Sequence, residues 1–260
     1  MISYFHMKYK LIFLDTETTG GDTKDRLCQL SYKTPEDSYE DMFDELYLPP
    51  LPISIESMAV HHITQEMVND RPAFAKSDKY TPVKELLQAD ECVLVAHNAP
   101  FDVAMLEKEH IKPSNSIDTL RLVRHFDPEM NIPRHNLQYL RYLLKLDQDI
   151  DKEKYPIQAH DAKGDVIILE KLFDRLYTKA NEKYKLKDDH DAIIEKMMEL
   201  SEQPTLIGKF TFGKHRGKMV KDVAIDDRGY LEWLLGQKKQ SPDQKNEEDW
   251  IYTLEHFLGK

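Results

Sequence analysis

Residues 9–18 read YKLIFLDTET, a short apolar run that passes into acidic and hydroxyl residues. Such a run predicts a buried strand that emerges at an active edge. Positions two apart on a strand share a face, so Asp15 and Glu17 project together from that edge. Two carboxylates so placed repel each other unless a cation joins them. Hard divalent ions such as Mg²⁺ take oxygen ligands of this kind and keep several waters for a substrate. Taken alone, an Asp-x-Glu pair is more often a solvated strand end than a metal site, so a metal reading needs partners.

Working outward, Leu27–Lys33 and Met42–Leu48 read as two further strands, separated by the turn-prone Thr34-Pro35-Glu36-Asp37. The three strands predict an antiparallel meander. After Pro49, Pro50 and Pro52 the pattern changes to short helical stretches as far as Asn69, then a longer one near Lys79–Ala89. ECVLVAH at 91–97 is a continuous apolar run of the kind found in interior strands. Pro100 opens the helical pattern that follows, a position where its missing N–H costs nothing. Strand and helix then alternate to residue 178, which predicts an α/β fold with a mixed sheet flanked by helices. Residues 179–204 are strongly charged, with Ile193, Ile194, Met197, Met198 and Leu200 on one helical face, and read as a connecting helix. Residues 205–260 form a small module, a glycine-punctuated hairpin over FTFGKHRGKMV and then the helical GYLEWLLG and DWIYTLEHFL.

Two more acids join Asp15 and Glu17. HNAPFD at 97–102 runs from an interior strand into a helix and sets Asp102 in the first turn, where it can face the neighbouring strand edge or simply meet the helix dipole. In HDAKGDVIILEKLFDRL, Asp165, Ile168, Leu169 and Leu172 fall at i, i+3, i+4 and i+7, so Asp165 shares the buried helix face. A lone buried charge is expensive, and a metal ion held with the other carboxylates would compensate it. His160 sits at or before the start of that helix and hangs over the site from a mobile segment. Its ordinary pKa of about 6.5 lets it accept a proton from water near neutrality. Four acids and a histidine are the groups that two-metal phosphodiester hydrolysis requires.

Composition sets the bounds. At 260 residues, 40 % hydrophobic and 32 % charged, the chain has the make-up of a soluble globular protein with one main core and an appended module. No apolar run approaches the roughly 18–20 residues of a membrane span, which predicts a cytoplasmic protein without membrane contact. Cys28 and Cys92 lie in apolar strand-like runs and read as buried reduced thiols. A net charge of −11 argues against a broadly basic nucleic-acid surface, although bound cations and a few basic side chains can still engage phosphates locally.

The motifs DTETTG at 15–20, HNAPFD at 97–102 and H-x4-D at 160–165 resemble, in order and spacing, those of the DEDDh exonucleases. AVHHIT at 59–64, SIDTLRL at 116–122 and HNLQYLRYLL at 135–144 are similar to further stretches of that family. Pro100 departs from its usual small residue or lysine. The resemblance covers about residues 9–178 and implies an RNase H-like core, the exonuclease fold, as domain 1–178. It implies 3′→5′ exonuclease activity with two Mg²⁺ or Mn²⁺ ions on Asp15, Glu17, Asp102 and Asp165, Asp15 bridging them and His160 as general base. Thr18, His61, His97, Asn98 and Phe101 would then hold the terminal nucleotide, and nucleoside 5′-monophosphates would be released.

The C-terminal FTFGKHRGKMVKDVAIDDRGYLEWLL resembles the tail of exodeoxyribonuclease X-type members. That implies DNA as substrate, single strands and duplex 3′ ends alike, in DNA repair. Two rivals stand beside this reading: a family member directed to RNA, and a non-catalytic nucleic-acid-binding or scaffold module. The basic residues Lys214, Arg216 and Lys218 read either as DNA backbone contacts or as a solvated hairpin surface.

Overall fold

Five strands form a sheet of order β3-β2-β1-β4-β5: β1 (Lys10–Thr18), β2 (Leu27–Lys33), β3 (Phe43–Leu46), β4 (Cys92–Ala96) and β5 (Asn115–Asp118). The computed structural model describes residues 8–155, 157–241 and 244–260. The meander expected from the first three runs is present, with β1·β2 and β2·β3 antiparallel. β4 pairs parallel with β1 and with β5, so the sheet is mixed, as expected. β4 is buried at every position, which is why its sequence shows no alternation.

The helices in chain order are α1 (Ile55–His61), α2 (Gln65–Val68), α3 (Tyr80–Gln88), α4 (Ala99–Lys108), α5 (Thr119–His125), α6 (Leu137–Leu143), α7 (Ala162–Tyr184), α8 (His190–Glu202), α9 (Val220–Asp226), α10 (Arg228–Lys239) and α11 (Gln244–Leu258). Alternation along β1 sorts its side chains between two layers. Ile12 and Leu14 join Leu30, Leu94, Val83, Leu87 and Leu106 in the core under α3 and α4. Phe13 points the other way and meets Phe173 of α7 edge-on, ring centroids 5.2 Å apart. Asp15 and Glu17 continue that second face, toward α7. Ile168, Leu169 and Leu172 are buried with Asp165, as the helical spacing predicted.

The register explains why the acids end up at an edge. β4 pairs with β1 only through Phe13↔Val95, while β2 runs alongside β1 as far as Thr18↔Leu27. Beyond Ala96 the chain turns into α4, so Asp15 and Glu17 project where one neighbouring strand has ended. The β1·β2 ladder also shifts register between Glu17 and Thr18, an irregularity of the kind that re-aims side chains near active sites.

The chain divides into two compact units, Met1–Leu120 with Asn136–Met198 and Arg121–His135 with Glu199–Lys260. The single connecting helix expected over 179–204 is instead the last turns of α7 followed by α8. α7 stops because Lys185 takes a left-handed conformation and donates its N–H to Asn181 O, and Lys187 and Asp188 also have positive φ. In the second unit Phe210, Val220, Val223, Leu231, Leu234, Leu235, Leu254 and Leu258 form a core of their own. Its expected hairpin is reduced to a single bridge, Lys209↔Met219. Burial pushes both free thiols, Cys28 and Cys92, up to about 12, consistent with inert core cysteines.

One buried ion pair ties α7 to the sheet. The Lys33 side chain is 1 % exposed; its Nζ lies 2.5 Å from Glu170 Oε1 and 5.8 Å from the centroid of the Phe13 ring. Removing the acid leaves a buried ammonium without a partner, whereas replacing both members with apolar groups removes the problem. Glu170→Ala is expected to cost about 3–5 kcal/mol in urea unfolding, and Lys33→Met/Glu170→Leu much less.

Candidate active site

The site begins with three carboxylates. Asp15 and Glu17 of β1 and Asp165 in the first turn of α7 have ligand oxygens that all lie within 4.8 Å of one another. Asp102, in the first turn of α4, stands beside them with its Oδ1 accepting a 2.7 Å hydrogen bond from Thr16 Oγ1. Thr16 is on the opposite face of β1 from Asp15 and Glu17, so Asp102 meets the strand from the α4 side.

Burial and mutual repulsion make this cluster electrostatically unfavourable by itself. Burial, then the charges of Asp102, Asp165 and Glu17, hold Asp15 well above the usual carboxylate range. Glu17 is pushed up to about 8 by burial and by Asp165 and Asp102. Burial raises Asp102 to about 7 against the opposing Thr16 hydrogen bond. Asp165 likewise rises to about 7 by burial, although the Gln138 amide and the His160 backbone N–H both favour its charged form. Oxygen ligands so close, half-buried on β1 and buried on α7, and short of positive charge, suit a hard divalent cation.

Several neighbours of the cluster carried no signal in the sequence. Asp161, just ahead of α7, adds another negative charge that raises Asp15 and Glu17, and its Oδ1 accepts from Gln29 Nε2 at 3.2 Å. Gln138 of α6 donates to Asp165 Oδ1. Buried Arg141, one turn on, donates to Gln138 Oε1 and to Ile157 O, both at 3.3 Å, and is itself anchored by Asp147 at 2.9 Å. A Cβ on Gly164 would stand 2.7 Å from Gln158 O, so glycine there lets the segment ahead of His160 lie on the first turn of α7. Gly164 and Gln138 stand within stretches that resemble the family, yet pattern alone gives neither a task.

His160 takes a left-handed conformation, φ 58°, and its side chain is exposed just before α7. Its backbone touches Asp165; His61 is held below the ordinary histidine range by burial first, with smaller contributions from His62 and His160. The other expected residues are distributed unevenly. Thr18, His61 and Phe101 line, with Glu17, a cleft of about 630 Å³ whose far wall includes Leu51 and Val60. The hydrogen-bonding atoms of two of them are already engaged. Thr18 Oγ1 donates to Gly20 O, and His61 Nδ1 accepts from Ile63 N–H, so His61 Nε2–H donates to Thr18 O at 3.1 Å. His97 and Asn98 lie at the β4–α4 junction. His97 Nδ1 is 2.9 Å from Thr119 Oγ1, while Asn98, at φ 75°, donates its N–H to Asp118 Oδ1 and leaves its side chain exposed.

The loop that walls the cleft is held from below. Asp25 accepts from Thr19 Oγ1 and Asp22 N–H, and Lys108 Nζ donates to the carbonyls of Asp22 and Asp25. A Cβ on Gly20 would meet the Asp25 carboxyl at 2.5 Å, so the turn closes only around glycine. In the second unit Lys214 is paired with Asp227 at 2.7 Å, whereas Arg216 and Lys218 are exposed.

Comparison with known proteins fits this geometry. The family described as "Exonuclease" matches residues 12–173, and the family described as "Exodeoxyribonuclease X-like C-terminal" matches residues 210–239. The chain is 29 % identical to "Exodeoxyribonuclease 10" of Escherichia coli (strain K12), over 95 % of this chain and 98 % of that protein. It is 34 % identical to "DNA polymerase III subunit epsilon-like protein" of Rhodobacter capsulatus, over 43 % of this chain and 16 % of that one. Among solved structures, "Exonuclease X in complex with 5′ overhanging duplex DNA" matches with a TM-score of 0.52 at 23 % identity, covering 74 % of this chain and 99 % of that chain, a likeness of fold. The family match runs from β1 through α7 and so takes in every carboxylate of the cluster, and the chain belongs to the exonuclease family.

Proposed function

We propose that this exonuclease removes nucleotides from the 3′ ends of DNA and releases nucleoside 5′-monophosphates. Asp15, Glu17, Asp102 and Asp165 are assigned to two divalent cations, Mg²⁺ or Mn²⁺, and His160 to the general base. The observation that carries the reading is the carboxylate cluster: acids from β1 and α7 with oxygens within 4.8 Å, Asp102 beside them, and a cleft that opens at Glu17. DNA as the substrate is supported by the relative matched along nearly the whole chain, an exodeoxyribonuclease by name.

The cations, when bound, offset the charge of the phosphodiester and make a water easier to deprotonate. The protein supplies the remainder. Its four carboxylates must give up their protons to become ligands, and because burial raises Glu17, Asp102 and Asp165 that loss falls near neutral pH and would be coupled to cation binding. His160 projects into solvent from a backbone fixed against Asp165, and its imidazole can take the proton of the attacking water. Gln138 keeps Asp165 turned toward the cluster, and Arg141 holds both Gln138 and the segment that carries His160. Phe101 offers a ring to stack on the terminal base, tolerant of its identity, and Asn98 an exposed amide. Thr18 and His61 shape the pocket through their mutual and backbone hydrogen bonds, and His97 is set at the β4–α4 junction against Thr119.

The assignment is tested by a time course on 3′- and 5′-labelled DNA and RNA strands with Mg²⁺ or with a chelator. Mononucleotides should leave DNA from the 3′ end only, and chelator or Asp15→Ala should abolish their release. Preferential digestion of RNA would overturn the choice of sugar, and full activity of Asp15→Ala the site. His160→Ala should bind DNA normally and cleave it about 10²–10⁴-fold more slowly in single turnover. A near-wild-type rate would place the base elsewhere.

Stability should report the same cluster. Carboxylates raised in the folded state favour the protonated fold, so their contribution is complete below the unfolded values near 4 and is lost as pH rises through about 7–8. With chelator, the melting temperature should therefore fall between about pH 5 and 8. Mg²⁺ should restore it more at pH 8 than at pH 5, and Asp165→Asn should shrink both effects in thermal melts.

A further inference from the structure

The catalytic cleft is poor in the charge that a nucleic acid needs. Its lining includes Glu17, Asp22, Asp25 and Glu56 against Lys24 alone, in a chain of net charge −11. Affinity for a polyanion rests on cations that displace its counterions, and the cleft supplies almost none. The second unit has the opposite character in one place. Residues 203–221 contain Lys209, Lys214, Arg216, Lys218 and Lys221 and no aspartate or glutamate.

The structure makes this stretch a rigid display. Phe210 and Lys218 are joined by a 2.9 Å backbone hydrogen bond, and Gly217 N–H donates to Phe210 O at 2.8 Å. Gly213 and Gly217 take φ of +65° and +90°, and a Cβ on Gly213 would stand 2.6 Å from Tyr230 Oη. Inside the loop His215 is buried and its Nε2 lies 2.8 Å from Asp227 Oδ2. Lys214 is taken up by Asp227 and lies over the Tyr230 ring, 4.9 Å from its centroid. The side chains of Arg216, Lys218 and Lys221 are exposed and have no acidic partner among the described residues. Tyr230, whose ring also meets His215 of the loop at 4.7 Å, links the loop to an exposed indole. Trp233 is 57 % exposed, its ring 5.5 Å from that of Tyr230.

We propose that the Gly213–Gly217 loop and Trp233 form a second nucleic-acid contact, in which Arg216 and Lys218 bind phosphates of a single strand and Trp233 stacks on an unpaired base. The proposal rests on the nuclease reading only for the choice of DNA. Exposed cations on a loop that is linked through Tyr230 to an exposed indole are what a single strand engages, because phosphate contact and stacking are both indifferent to sequence. A protein partner would have no use for unpaired cations without a matching acidic surface. Lys214, already neutralised by Asp227, is left out of the contact. A second contact raises the effective concentration of a long strand at the cleft and does nothing for a substrate too short to reach both.

The test uses the full chain. Fluorescence anisotropy with labelled 20-nucleotide DNA and RNA strands is measured in the Asp15→Asn background, which prevents digestion. Arg216→Gln/Lys218→Gln should weaken binding at least tenfold and lower the slope of log affinity against log salt by about 1.4. Trp233→Ala should weaken it about 5- to 100-fold. With Asp15 intact, the same variants should raise KM on a 30-nucleotide strand and leave turnover of a trinucleotide unchanged. Unaltered DNA binding overturns the proposal, including the case in which the face proves to capture a protein. Equal loss on the long strand and the trinucleotide also overturns it, since the substitutions would then act on the catalytic unit. Tighter binding of RNA than DNA would keep the surface and reassign its ligand. A wild-type chain that binds strands through this face yet digests none would refute the nuclease assignment and leave the contact standing.

Discussion

Like charge gathered in a confined, poorly hydrated space is the constraint around which the first unit is arranged. Asp15, Glu17 and Asp165 hold their oxygens within 4.8 Å, with Asp102 and Asp161 close enough to add to the repulsion. Gln138 and Thr16 answer it with hydrogen bonds, and the positive charge of Arg141 stands one residue behind. What keeps these acids together is the packing beneath them. Phe13 on Phe173, the Lys33–Glu170 pair and the buried stripe of α7 hold helix and sheet in contact close to the point where the charges oppose that contact. The fold thus carries a strained electrostatic arrangement on an apolar foundation, the usual relation between a functional site and its scaffold.

Much of this was legible in the chain. The alternation of β1 puts Asp15 and Glu17 on one face whatever the sheet beside them, and a 3.6-residue repeat places Asp165 with Ile168, Leu169 and Leu172. What could not be read depends on contacts across the fold. Nothing local says that β4 ends at Ala96 and leaves the strand edge open, or that Gly164 exists to admit the backbone of Gln158. Arg141 looks like any surface arginine of an amphipathic helix until Asp147 and Ile157 are seen on either side of it. His61 shows the converse. Motif similarity sends it to the substrate, and the structure adds what no motif states, that both its ring nitrogens are engaged by Thr18 and Ile63 while it lines the cleft.

The second unit was harder to read because its shape comes from glycine and capping chemistry rather than from periodic burial. A hairpin was the natural expectation for FTFGKHRGKMV, yet two positive-φ glycines and the inward turn of His215 wind the segment into a loop closed by a single bridge. The charged stretch over 179–204 misled in a similar way. Continuous helical spacing on both sides of Lys185 concealed a break that the backbone makes with three left-handed residues. In both places the deciding variable is a dihedral angle, which residue polarity reports poorly.

The position of Asp165 and His160 on and just before α7 also bears on how the protein is made. Asp15 and Glu17 are synthesised about 150 residues ahead of Asp165. At roughly 5–20 residues per second, that interval is about 8–30 s of translation. Throughout it the emerging chain lacks the helix that carries Asp165. On the proposed assignment, a chain broken off before residue 160 lacks both the histidine given the role of base and one of the four carboxylates given to the cations.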